Sequence, residues 1–204
     1  MKLKWIIGLC ALLSLILAVG CEDDVDAADK QRTTIERYLT SSHMPRLINI
    51  KDVENSLELN PAFYERIDYS VYRYIATYYD KGRSNQPEVK EGDEVTLTFT
   101  AYVFTGSTPN LASVYLTNDP TIISSLKANG LNTEYWEAEP LTIKIGQTNI
   151  IKGVTTSLIG CRLGDRVEAY MTLDAAYSDD VVGVVPKGSA VAWYYTIESV
   201  GGRQ

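Results

Sequence analysis

Few residues of this chain can do bond-making chemistry. Its three cysteines are Cys10, Cys21 and Cys161, and its single histidine is His43. The common histidine constellations of triads and zinc centres need more than one such residue set at fixed spacing. The GxSxG, HExxH and phosphate-loop patterns are absent as well. Hydrolase and metalloenzyme classes are therefore disfavoured, and neither a metal nor a cofactor is expected. His43, at the junction before Pro45, reads as a loop residue rather than a ligand. Tyr135 and Trp136 stand just before Pro140 in a long loop, where large aromatics serve recognition or pin the loop to its domain.

Cys21 has a distinctive context. Lys2 and Lys4 precede an uncharged, largely apolar run from Trp5 to Val19. As a helix that run is about 22 Å long, short of a bilayer core of about 30 Å, and it suits the apolar stretch of a signal peptide. Leu17-Ala18-Val19-Gly20-Cys21 then resembles a bacterial lipobox, whose cysteine is alkylated with diacylglycerol after cleavage of the bond before it. Ala18 and Gly20 also satisfy the small-x-small rule of ordinary signal-peptide cleavage at the same bond. The acidic stretch Glu22, Asp23, Asp24 and Asp26 reads as a solvated tether, and it also resembles the surface-export signal of Bacteroidota lipoproteins.

Removing residues 1–20 takes two lysines from the 19 basic residues and none from the 26 acidic ones, leaving a charge of about −9. That balance argues against nucleic acid or an anionic membrane surface as a partner. Cys10 leaves with the leader, so Cys21 and Cys161 cannot build a disulfide framework or a cysteine zinc site. The remaining chain is long enough for one domain with a real core plus an extension.

The elements that must position any site read as follows. Asp26 to Ser42 has helical spacing, with Ile35, Tyr38 and Leu39 on one face. Lys51 to Phe63 is mixed, with room for a short helix and turn. From Ile67 to Ala76 the period is two, rich in β-branched and aromatic residues, which predicts a strand. Further strands are expected at Val95–Phe104, 141–145, 166–173 and 190–200, with a short helix at Ile150–Leu158. The turn-rich stretch between Gly106 and Glu139 is too long for a plain loop and is expected to be functional or to hold small elements of its own. The class is α+β, an antiparallel sheet wrapped around a helix.

The order of motifs resembles the FKBP-type peptidyl-prolyl cis-trans isomerases. It runs Gly92-Asp93-x-Val95, Pro140-Leu141-Thr142-Ile143-x-Ile145-Gly146, Ile150-Ile151-x-Gly153, Leu158-x-Gly160-Cys161-x-x-Gly164-Asp165, Ala176-Tyr177, Val185-Pro186 and a last aromatic strand. The resemblance covers roughly residues 66–201. Together with the N-terminal reading, the expected organisation is a lipoprotein signal peptide at 1–20, an acidic membrane tether at 21–34, a helical extension at 35–65, and an FKBP-like domain at 66–204 with an expanded loop at 105–139.

Carried over residue by residue, the resemblance implies a catalytic cup of Tyr177, Ile151, Phe99 and Trp193. The Ile151 backbone N–H is expected to bind the substrate carbonyl and the Tyr177 hydroxyl to bond the peptide. Ile150, Leu141, Val184 and Val185 are expected to line the substrate, Val154 to occupy the floor where the family usually carries tryptophan, and Tyr115-Leu116 to stand for its Phe-Asp pair. The implied function is proline isomerisation in exported proteins at the cell envelope, with the membrane reached through Cys21 on the outer membrane. The alternative is a catalytically weak FKBP-like peptide-binding, chaperone or assembly lipoprotein.

Overall fold

The structure, a computed structural model, describes residues 20–134 and 136–201, with side chains from residue 27 onward. The expected leader, the Cys21 side chain and Tyr135 lie outside the described residues. Among those described, no helix is long and apolar enough to cross a membrane.

Helix α1 spans Gly20–Ser41. A two-residue strand β1 (Ile48–Asn49) and a 3-10 turn (Ile50–Asn55) follow. Strands β2 (Phe63–Asp68) and β3 (Val71–Ile75) form a hairpin where a single strand was expected. Then come β4 (Glu94–Phe104), β5 (Val114–Thr117), α2 (Pro120–Ala128), β6 (Leu141–Lys144), α3 (Lys152–Leu158), β7 (Arg166–Met171) and β8 (Ala190–Gly201). Eight strands make one sheet in the order β1-β2-β3-β7-β8-β4-β5, with β6 also on β4. Among the described strands only the short β1-β2 pair is parallel, so the expected α+β architecture of an antiparallel sheet around a short helix is the one observed.

Alternation along the strands builds two cores, one on each face. Inward residues Val95, Leu97, Phe99 and Ala101 of β4 and Val191, Trp193, Tyr195 and Ile197 of β8 pack in one cluster with Val154 and Leu158 of α3. Outward residues Tyr72, Tyr74, Phe104 and Tyr170 join Ile35, Tyr38 and Leu39 of α1 in a second cluster. Complete burial of Ile35 and Leu39 is worth about 1.5–3 kcal/mol each.

The acidic segment at 21–34 is therefore not an unpatterned tether throughout. It is helical, and Ala28 and Arg32 are already buried. The Arg32 guanidinium lies 3.7 Å over the Tyr69 ring and pairs with Asp29, so aromatic stacking and ion pairing retain its charge. The 35–65 extension likewise ends inside the sheet, because β2 starts at Phe63.

The expanded loop holds β5 and α2. Asp119 caps α2 by accepting from the Thr121 N–H at 2.8 Å, with Pro120 in the first turn. At the far end of α3, Arg73 donates to the carbonyls of Ser157 (2.9 Å) and Ile159 (2.6 Å) and to Glu65 (2.8 Å). A cation there satisfies carbonyls that a helix end leaves unpaired.

Candidate functional site

A cavity of about 610 Å³ opens between the inner sheet face, the start of α3 and the loop after β7. Phe99 from β4 and Trp193 from β8 stack nearly parallel, with ring centroids 4.4 Å apart and planes 8° from coplanar. Ala101 is the cross-strand partner of Trp193, so Phe99 sits diagonally across the ladder, within reach of a large ring. Leu116, Leu141, Ile150, Ile151 and Ala176 add apolar wall, and Tyr177 closes one side.

Around the aromatic pair the polar groups are engaged with one another. The Trp193 indole N–H donates to the Tyr115 hydroxyl at 2.8 Å, and the Tyr177 hydroxyl donates to the same oxygen at 3.3 Å. Burial, and then the adjacent Tyr177, push the Tyr115 phenol well above its ordinary pKa, so it stays neutral as a hydrogen-bonding hub. Phe99 is held in register by buried Asn118. Its carboxamide oxygen accepts from the Phe99 N–H at 2.7 Å, while its nitrogen donates to the carbonyls of Leu97 and Glu139. One amide thus ties β4 to the chain just before β6, where Leu141 enters the cavity.

Ile151 differs from its neighbours. It is the residue before α3, and its backbone N–H has no acceptor among the described residues. An unpaired donor beside an apolar wall is a ready partner for a ligand carbonyl.

Seven of the expected residues share this cavity: Phe99, Leu116, Leu141, Ile150, Ile151, Tyr177 and Trp193. Tyr115 does not line it but bonds two that flank it. Val154 does not form the floor. It is fully buried in the inner core, because its position on α3 faces the sheet. Val185 is also fully buried, paired with Val182 in a local bridge, and Val184 points to solvent at 74% exposure, away from the lining. Trp136 is likewise not a lining residue. Thr148, Asn149, Ser178 and Asp180 line the cavity without having been expected to. Their polar side chains sit in turns flanking recognised motifs, and that adjacency was the one sequence signal available.

The matching family is the FKBP-type peptidyl-prolyl cis-trans isomerase, aligned over residues 86–198, which is more than half of the chain. No curated protein matches it. Among solved structures, the three FKBP domains of wheat FKBP73 are similar at 16% identity, covering 65% of this chain and 47% of that one, with a TM-score of 0.46. The N-terminal domain of FKBP42 from Arabidopsis thaliana is similar at 10% identity, covering 71% of this chain and 97% of that one, also at 0.46. The match thus spans about half the length of the wheat chain. Residues 20–85, including α1 and the β2-β3 hairpin, lie outside the family alignment.

Proposed function

We propose, because the chain belongs to the FKBP-type peptidyl-prolyl cis-trans isomerase family, that its aromatic cavity binds a proline-containing peptide and speeds rotation about the X-Pro bond. The observation that carries this reading is the pairing of an apolar wall with an Ile151 N–H that has no acceptor among the described residues. The barrier to that rotation, about 18–20 kcal/mol, comes from amide resonance. Lowering it requires neither a nucleophile nor an acid–base pair. The proline ring must be gripped, water kept from the carbonyl, and the twisted amide favoured over the planar one. In this reading the Phe99–Trp193 stack, Leu141 and Ile150 hold the ring. The Ile151 N–H binds a carbonyl, and Tyr177 adds a hydroxyl at the rim.

The setting is part of the proposal. Acylation at Cys21 holds the domain at the cell envelope, on the outer membrane, and its substrates are proline-containing segments of exported proteins. Two acyl chains anchor by burying many methylenes, at about 0.8 kcal/mol each.

A second reading, peptide binding without useful turnover, is favoured by one observation: the Tyr177 hydroxyl is already engaged by Tyr115. A protease-coupled isomerisation assay on the chain from Glu22 onward separates the two. The isomerase reading expects acceleration that falls at least about tenfold in a folded Tyr177→Ala, Trp193→Ala double variant. Wild-type rates equal to that variant's, with peptide still bound, leave the binding reading standing. Absence of both refutes the cavity assignment.

A further inference from the structure

The loop that carries Tyr177 is held from outside the family-matching region. It leaves β7, makes a 3-10 turn at Leu173–Ala175 and returns to β8 at Ala190. It supplies Ala176, Tyr177, Ser178 and Asp180 to the cavity. Its two ends meet at Gln31 on the packed face of α1. The carboxamide oxygen of Gln31 accepts from the Leu173 N–H at 2.8 Å, and its nitrogen donates to the Gly188 carbonyl at 2.8 Å. Both polar ends of one half-buried amide are used, each on an opposite limb of the same loop.

Inside the loop the same two limbs are joined through Ser178. Its N–H donates to the Leu173 carbonyl at 2.8 Å, and its carbonyl accepts from the Gly188 N–H at 2.9 Å. Ser178 has a φ of 51°, in the left-handed region that non-glycine residues seldom occupy. Such a conformation persists only where its surroundings over-determine it. Leu173 and Gly188 are the residues that fix Ser178, and they are also the residues Gln31 clasps. The next residue on α1 reinforces the contact, since Arg32 Nη1 lies 3.9 Å from Asp174 in the 3-10 turn.

We infer that Gln31 is a positioning residue for the binding cavity, and that α1 is a working part of the site rather than a spacer. It acts through the loop, keeping Ser178 in its turn and Tyr177 against Tyr115, and touches no ligand itself. The consequence for peptide binding rests on the proposed function; the hold on the loop does not.

The test compares Gln31→Ala and Gln31→Glu in the full-length chain, by amide hydrogen exchange and by affinity for a Leu-Pro tetrapeptide. Gln31→Ala is expected to speed exchange of the amides at 176–189 about tenfold, weaken the peptide several-fold and leave the amides of β4 and β8 unchanged. Gln31→Glu supplies a readout that simple loss of stability does not move. Its ionised carboxylate still accepts from Leu173 but faces the Gly188 carbonyl with no proton to donate. Below a carboxyl pKa of about 4.3 the acid regains a donor, so loop protection relative to wild type at the same pH should return. An unchanged loop in Gln31→Ala overturns the inference, as does exchange rising equally across loop and sheet. Loosening without any change in peptide affinity also overturns the positioning role. If the wild type binds no proline peptide, the proposed function fails, and the exchange data and the pH rescue alone decide the hold on the loop.

Discussion

Replacing Tyr115 with phenylalanine isolates the hydrogen-bond hub of the cavity. The ring and its edge-on contact with Tyr177, 6.0 Å between centroids, are kept. The oxygen that accepts from Trp193 at 2.8 Å is lost. Trp193 is 2% exposed, so water has little access to its indole N–H. A buried donor left without an acceptor costs about 1–3 kcal/mol. The second bond, from Tyr177 at 3.3 Å, is longer, and Tyr177 is only half-buried, so its loss adds little. Taking about 2 kcal/mol, and a shift of about 2–4 °C per kcal/mol for a domain of this size, the melting temperature should fall by about 4–8 °C. Tyr177→Phe is the control, since it removes the weaker bond and leaves the indole paired; it should cost under about 1 kcal/mol. Thermal unfolding followed by circular dichroism gives the stability, and the indole proton resonance of Trp193 reports the bond directly. If Tyr115→Phe is no more harmful than Tyr177→Phe, or if the indole resonance stays in place, the hub assignment is wrong.

The other expectations concern the helix, the core and the anchor. The His43 ring nitrogens face the Pro45 carbonyl and, at 2.7 Å, Glu168, both acceptors, an arrangement that favours the imidazolium over the neutral ring. Burial opposes that charge, but Glu168 and the carbonyl outweigh it and raise the His43 pKa above 6.5. The stability this pair contributes is thus complete below pH 6.5 and lost as pH rises through the raised value, a slope that urea unfolding should show and His43→Gln should flatten. Gly153→Ala places a Cβ 2.4 Å from Met171 Sδ and 2.9 Å from the Ala175 carbonyl. The backbone carbonyl cannot swing aside, so despite alanine's better helix propensity the variant should lose about 1–3 kcal/mol in denaturant melts. Cys21→Ser should abolish incorporation of labelled palmitate in cells; unchanged labelling sinks the anchor.

The hairpin shows where sequence patterning stopped short. Pairing across its turn joins Asp68 to Val71, which by itself would exchange odd and even positions between the two faces. A bulge between Arg66 and Asp68 inserts one extra residue and restores the parity, so Tyr64 and Arg66 face the same way as Tyr74 and Tyr72. The period of two therefore runs from Ile67 to Ile75 as though there were no turn, and the turn's marks are weaker ones, Asp68 accepting from the Ser70 N–H at 3.2 Å with no glycine or proline beside it. The second core did leave a signal. Val71, Tyr72, Arg73 and Tyr74 are all buried, and a strand with apolar or aromatic residues on both faces needs two covers. Helix α1 is the second, although its acidic start reads as tether. The cavity residues were legible because motif spacing fixes Ile150, Ile151 and Tyr177 against the strands that carry Phe99 and Trp193. Asn118 and Gln31 were not, because their partners are set by tertiary contacts; Gln31 lies 142 positions from Leu173.

The smaller residue at position 154 has a consequence for what the cavity can select. With Val154 sealed in the core, the aromatic surface of the cavity comes from the sheet and not from the helix. Phe99 and Trp193 stand on adjacent strands whose pairing is unbroken from Leu97 to Phe104; Asn118 also holds the Phe99 backbone N–H, and Tyr115 holds the Trp193 indole edge. A stacked pair on a fixed backbone presents a flat, stiff face, which suits an apolar ring lying against it. Leu116, 44% exposed, puts no charge where the resemblance leads one to expect a carboxylate. Among the described residues Asp180 is the one carboxylate on the lining, and it is exposed at the rim. Charge discrimination at such a rim is screened by salt and worth at most about 1 kcal/mol. If the proposed function holds, a cavity so built grips an apolar ring and one carbonyl closely and the flanking residues loosely.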